Sequence, residues 1–244
     1  MPNLLLTIRY DGTDFHGWQV QKNALSVQEV LQDALEALFG TRPDVKGCSR
    51  TDSGVHANMF CVSFQAPFYP GEYHTISAIN RNLPAQIKAY ACKEVDDAFH
   101  ARYSAKGKEY IYYIHNSAYP NPFYEKYMLG YKHPLDEKLM NRAAKYLEGT
   151  HDFAAFCSAH SDVEDTVRTI YHCDVKRSGD VIAVTISGDG FLYNMVRIIV
   201  GTLISVSTGK ISPDDILQII DSKSRASAGK TMPAKGLFLN KVIY

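Results

Sequence analysis

The 244-residue chain has no excess of charge of either sign: 26 Lys and Arg stand against 26 Asp and Glu, with nine His left neutral. Nucleic-acid binders often carry a basic surplus, so any such site here has to be a local patch. The chain also lacks paired cysteines. Cys48, Cys61, Cys92, Cys157 and Cys173 are odd in number and form no C-x-x-C, which excludes a disulfide framework and points to a reducing compartment. Metal-type spacing is missing too. His151, Cys157, His160, His172 and Cys173 are scattered, and a strand would turn His172 and Cys173 to opposite faces, so no metal is expected. The longest apolar stretch, residues 198–206, is interrupted by Gly201 and Thr202 and is too short to cross a bilayer. The opening Met1-Pro2-Asn3-Leu4-Leu5-Leu6-Thr7 has no basic region, so no signal peptide and no membrane are expected, and a cytoplasmic protein is. There is no serine nucleophile elbow. Gly188-Asp189-Gly190 lacks the third glycine of a dinucleotide fingerprint, and no Lys-Ser or Lys-Thr follows it.

What is present is a globular composition, 45% apolar. A chain of this mass buries roughly 70% of its extended surface and forms one or two domains. Residues 4–10 read as a strand stopped by Asp11-Gly12. Ser26 and Glu29 form a capping box before Val27, Val30, Leu31, Ala34, Leu35 and Leu38, the apolar face of a helix that Gly40 ends. A strand over 58–65, a helix over 75–82 and a strand over 87–95 follow. The spacing then predicts a strand over 106–114, a helix over 135–147, strands over 166–176 and 181–187 and a buried helix over 194–207. A helix opened by Ser212-Pro213-Asp214-Asp215 and a strand over 237–244 complete the pattern. Two halves, 1–105 and 106–244, each carry strands and helices. The expected class is α+β: two related α/β halves with largely antiparallel sheets flanked by helices, and a cleft between them as the usual place for a site.

Two polar constellations stand out. Cys48-Ser49-Arg50-Thr51-Asp52-Ser53-Gly54-Val55-His56-Ala57 gathers Arg, Asp and His between a helix and a strand. A cation near Asp52 would keep its carboxylate ionised, whereas the plainer reading is a solvated loop with Asp52 capping a turn. In Gly188-Asp189-Gly190-Phe191-Leu192-Tyr193-Asn194-Met195-Val196-Arg197, the arginine lies on an otherwise apolar helix, where it needs a partner, a cleft or a path to solvent. Tyr110 and Tyr112 share a sheet face near Lys106, Lys108 and Arg102, an arrangement that could stack a base, although sheet packing explains Tyr112 and Tyr113 better.

These residues carry a resemblance. Phe15-His16-Gly17-Trp18-Gln19-Val20-Gln21, Arg50-Thr51-Asp52-Ser53-Gly54-Val55-His56-Ala57, Phe99-His100-Ala101-Arg102, Lys108-Glu109-Tyr110, residues 188–197 and Pro233-Ala234-Lys235-Gly236-Leu237 are similar, in order, to the motifs of the tRNA pseudouridine synthase A family. The resemblance implies isomerisation of uridine to pseudouridine at positions 38, 39 and 40 of the tRNA anticodon stem-loop, by a homodimer without a cofactor. It makes Asp52 the catalytic carboxylate and sets Tyr110 against the target base. Arg50 would take the place of the flipped base, and Arg197 would pair with Asp52. The chemistry suits the residues: a carboxylate can attack C1′ or C6, or assist a deprotonation, and a uridine in a stem must be flipped out to react. The alternative is a non-catalytic tRNA-binding protein that remodels the anticodon arm and has no need of Asp52. A hydrolase would require a second placed acid, for which Asp189 is the candidate.

Overall fold

The structure, a computed structural model, describes residues 1–158 and 164–244. They form two compact units, Met1–Lys106 with Phe238–Tyr244, and Gly107–Leu237. The sequence expectation placed everything after residue 105 in the second half. The final segment instead returns to the first unit, and the reason is strand pairing.

In the first unit the elements are β1 (Asn3–Tyr10), α1 (Val27–Phe39), β2 (Lys46–Gly47), β3 (His56–Gln65), α2 (Glu72–Asn82) and β4 (Ile87–Val95). β1 lies between β3 and β4 and is antiparallel to both, with Leu6 opposite Val62 on one side and Cys92 on the other. Leu4, Leu6 and Ile8 alternate along β1 and are wholly buried, as are Leu31 and Leu35 of α1 and Ile79 of α2. Each such side chain contributes about 1.5–3 kcal/mol on burial. The Glu29 amide donates to Ser26 Oγ at 3.2 Å, which starts α1, and Gly40 in the left-handed region ends it.

The second unit contains β5 (Gly107–His115), β6 (Leu129–Gly130), α3 (Glu137–Lys145), β7 (Gly149–Asp152), β8 (Val167–Ser178), β9 (Val181–Gly188), α4 (Met195–Ser207) and α5 (Ile216–Ser222). The strands run β5-β9-β8-β7, each antiparallel to the next, and β6 adds a short parallel pair to β5. α4 buries ten of its thirteen residues, so it is the central helix of the unit rather than a surface one. α3 packs against it and against β8. Among the described residues no helix is long and apolar enough to cross a membrane.

β10 (Leu237–Ile243) pairs in parallel with the start of β3, Phe238 opposite His56 and Leu239 opposite Ala57. The Phe238 and His56 rings stack at 4.6 Å. This pairing brings the segment back to the first unit. Both units are therefore α/β, with mixed sheets flanked by helices.

Local differences from the expected elements have local causes. β8 continues to Ser178 because the hairpin turns on Gly179-Asp180 alone. α3 is shorter than expected because Asp136 caps it, accepting from the amides of Lys138 at 2.9 Å and Leu139 at 3.0 Å. Asn194 is not helical. It precedes α4 in the left-handed region, at φ 61°, a conformation that Asn tolerates better than most residues.

Candidate active-site elements

The loop that carries Arg50 and Asp52 joins β2 to β3 in the first unit. It is clamped from beneath by the segment after β1. The Trp18 amide donates to the Thr51 carbonyl at 3.1 Å, and the Gly54 amide to the Phe15 carbonyl at 3.2 Å. Thr51 is buried, and its hydroxyl shares a 2.8 Å hydrogen bond with that of Tyr10. The Val55 amide closes a turn on the Asp52 carbonyl at 3.2 Å. A side chain at position 17 would meet the Thr51 carbonyl oxygen at 2.5 Å, and φ there is +81°, so only glycine fits. Phe15 and Trp18 anchor the clamp in the core, with Trp18 lying 4.3 Å from the Phe60 ring. At the far end the buried His56 takes the Gly12 amide on Nδ1 at 3.0 Å.

The backbone of this loop is thus held on both sides while its charges are not swallowed. Arg50 is exposed and Asp52 is half-buried. The plainer sequence reading, a solvated turn, describes the hydrogen bond over Gly54. It does not describe the fixation by Tyr10, Phe15, Gly17 and Trp18, which were separate motifs in the sequence.

Tyr110 and Arg197 belong to the second unit. Tyr110 sits on β5 opposite Ile186 of β9, almost wholly buried, with the Phe191 ring edge-on at 5.1 Å and 82°. Tyr112 on the same face is structural. Its ring is fully buried, its hydroxyl donates to the Pro233 carbonyl at 2.8 Å, and burial pushes its phenol well above the usual range. The contacts that hold Arg197 on α4 include Met232 and Asn194. Nε donates to the Met232 carbonyl and Nη1 to Asn194 Oδ1, both at 2.6 Å, and the Met232 amide returns to the Arg197 carbonyl at 3.2 Å. The segment 229–232 reaches α4 because position 201 is glycine; a side chain there would collide with the Lys230 carbonyl oxygen. Phe191, Asn194 and the Met232 carbonyl escaped the sequence reading as supports of Tyr110 and Arg197.

Other polar candidates are engaged in structure. Asp189 Oδ1 accepts from the Thr169 amide at 3.0 Å and the Asp189 amide donates back to the Thr169 carbonyl at 3.1 Å. It locks the end of the β8–β9 pair. Among the described residues no three His, Cys, Asp or Glu gather as a metal site, and His160 lies outside those residues. Burial, with Glu72 nearby, pushes the Cys92 thiol up to about 12, and burial raises that of Cys173 as well. Thiols held protonated in this way are poor nucleophiles.

A protein-family model described as tRNA pseudouridine synthase matches residues 6–104 and 143–244. The tRNA pseudouridine synthase A of Acetivibrio thermocellus is 48% identical over 245 residues, covering 100% of each chain. That of Thermoanaerobacter sp. is 45% identical over 244 residues, again covering 100% of each. That of Bacillus licheniformis is 44% identical over 240 residues, 98% of this chain and 97% of the other. The chain belongs to the tRNA pseudouridine synthase family.

Proposed function

We infer that this protein isomerises uridine to pseudouridine in tRNA, at positions 38, 39 and 40 of the anticodon stem-loop. The end-to-end similarity to tRNA pseudouridine synthases carries the reading. The N1–C1′ bond breaks, the uracil turns, and C5 joins C1′. One hydrogen leaves C5 and one is gained at N1, so atoms and electrons balance within substrate and water.

Asp52 is the catalytic carboxylate. Its backbone is fixed while its side chain stays half-buried, which suits a group that must meet a flipped base without reorganising. Tyr110, Arg50 and Arg197 bind the substrate. Tyr110, its ring set by the edge-on contact with Phe191, lies against the target base, and the exposed Arg50 fills the gap that the flipped base leaves. Arg197 is preorganised by Asn194 and Met232, so little side-chain entropy remains to be lost on binding. The protein acts as a cytoplasmic homodimer.

The test uses unmodified tRNA transcript carrying tritium at uracil C5. Wild type releases tritium to water with nothing else added. Asp52→Ala still binds tRNA and releases less than about one part in 10³ of the wild-type rate. Undiminished release by Asp52→Ala would overturn the assignment of Asp52, and no release by wild type would overturn the activity on this substrate.

A further inference from the structure

The buried helix α4 carries a threonine in its interior that does not reach water: Thr202 is 1% exposed. Its hydroxyl has one proton and gives it to the Ile198 carbonyl one turn back, at 2.9 Å. The oxygen is left to accept, and the Gly229 amide donates to it at 2.9 Å. Gly229 is itself buried and belongs to no helix or strand, so its N–H has to find an acceptor on a neighbouring element.

The contact continues along the helix. A Cβ at position 229 would lie 2.4 Å from the Gly201 carbonyl carbon and from the Thr202 amide nitrogen, so the two backbones touch there. Three residues on, the Met232 amide donates to the Arg197 carbonyl at 3.2 Å, and the Met232 carbonyl accepts from Arg197 Nε at 2.6 Å. Residues 229–232 therefore run antiparallel to α4, from Thr202 down to Arg197. Five helical residues rise about 7.5 Å and three steps of extended chain cover about 10 Å, so this strap lies along the helix with little slack. Thr202 fixes one end and Arg197 meets the other. Releasing the Thr202 end frees the Met232 carbonyl, and with it the guanidinium that the carbonyl orients.

We propose that Thr202 is a positioning residue for Arg197: its hydroxyl anchors the 229–232 strap, and the Met232 carbonyl of that strap aims the guanidinium at the substrate. The proposal rests on the reading of Arg197 as a substrate-binding residue given above.

Single-turnover tritium release from C5-labelled tRNA tests it. Thr202→Val keeps the shape of the side chain and removes the acceptor, Thr202→Ala removes it with less bulk, and Thr202→Ser keeps it. Circular dichroism and urea denaturation check that each variant is folded at the assay temperature. The Val and Ala variants should release tritium about 10-fold more slowly, and the Ser variant should stay within about twofold of wild type. Thr202→Val is also combined with Arg197→Lys, which keeps the charge but has no Nε–H for the Met232 carbonyl to orient. Arg197→Lys alone should slow release about 30-fold, and adding Thr202→Val should slow it less than about twofold further. A second 10-fold loss in that background would make Thr202 independent of Arg197 and overturn the proposal, leaving the Arg197 reading in place. Full release by Thr202→Val, a Ser variant as slow as the Val variant, or loss of the fold in both the Val and Ala variants would overturn it as well. Arg197→Lys as active as wild type would instead overturn the Arg197 reading, and the proposal with it.

Discussion

The Asp52 loop and the Arg197 helix present charged groups by opposite means. Asp52 itself stands on no regular element. A short loop is fixed through its own backbone by carbonyls and amides of the Phe15–Trp18 region, and its charges are left outward. Arg197 instead stands on a helix buried on nearly every side, and the groups that steer its guanidinium include the Met232 carbonyl and the Asn194 amide oxygen. The first arrangement puts precision into a turn that could otherwise move. The second borrows the rigidity of the core, at the cost of bringing a cation next to apolar packing. Damage to the first should therefore be local, and damage to the second should spread.

The largest effect that sharpens this contrast comes from Tyr110, which like Arg197 is set by the core. Tyr110→Phe keeps the ring and its contact with Phe191 and loses only the hydroxyl. Tritium release should fall about 10²-fold while tRNA affinity, measured by filter binding, stays within about threefold. Full activity would reduce Tyr110 to a stacking surface.

Next come two glycines. Gly201→Ala would ordinarily favour a helix by about 1 kcal/mol, but here the methyl collides with the Lys230 carbonyl, and a net loss of about 1–3 kcal/mol is expected. Urea denaturation and turnover should fall together, because Met232 moves with Lys230. Gly17→Ala should cost a similar 1–3 kcal/mol through its positive φ and the Thr51 carbonyl, yet lower turnover more than stability. Equal ratios of the two losses in both variants would break the comparison. The smallest effect is that of Tyr10→Phe, which strips the partner from the Thr51 hydroxyl. A loss of about 1 kcal/mol in urea denaturation is expected, with a modest fall in turnover.

Much of the fold was legible because periodicity reports one-sided burial. β4 was read at its observed bounds, and α1 was given by Ser26, its apolar stripe and Gly40. The two-residue strands β2 and β6 were missed because two residues carry no period, and β7 because Gly149-Thr150-His151-Asp152 has no apolar alternation. The left-handed Asn194 was read as helical, since nothing in its neighbours signals a reversal of φ. In the site, Asp52 and Arg50 were visible as a polar cluster in one stretch of chain. Their supports were not. Tyr10 and Thr51 lie 41 residues apart, and Arg197 and Met232 lie 35 apart, so only the fold brings each pair into contact.

The return of β10 to the first unit bears on the order of synthesis. A ribosome makes Met1–Lys106 first, then all of Gly107–Leu237, and only afterwards the residues that pair with His56 and Ala57. The edge of β3 next to the Asp52 loop therefore stays unpaired, and His56 lacks Phe238, while the entire second unit emerges. The sheet that supports the Asp52 loop can be finished only after translation has passed the other unit, and until then its open edge is a strand edge in need of protection.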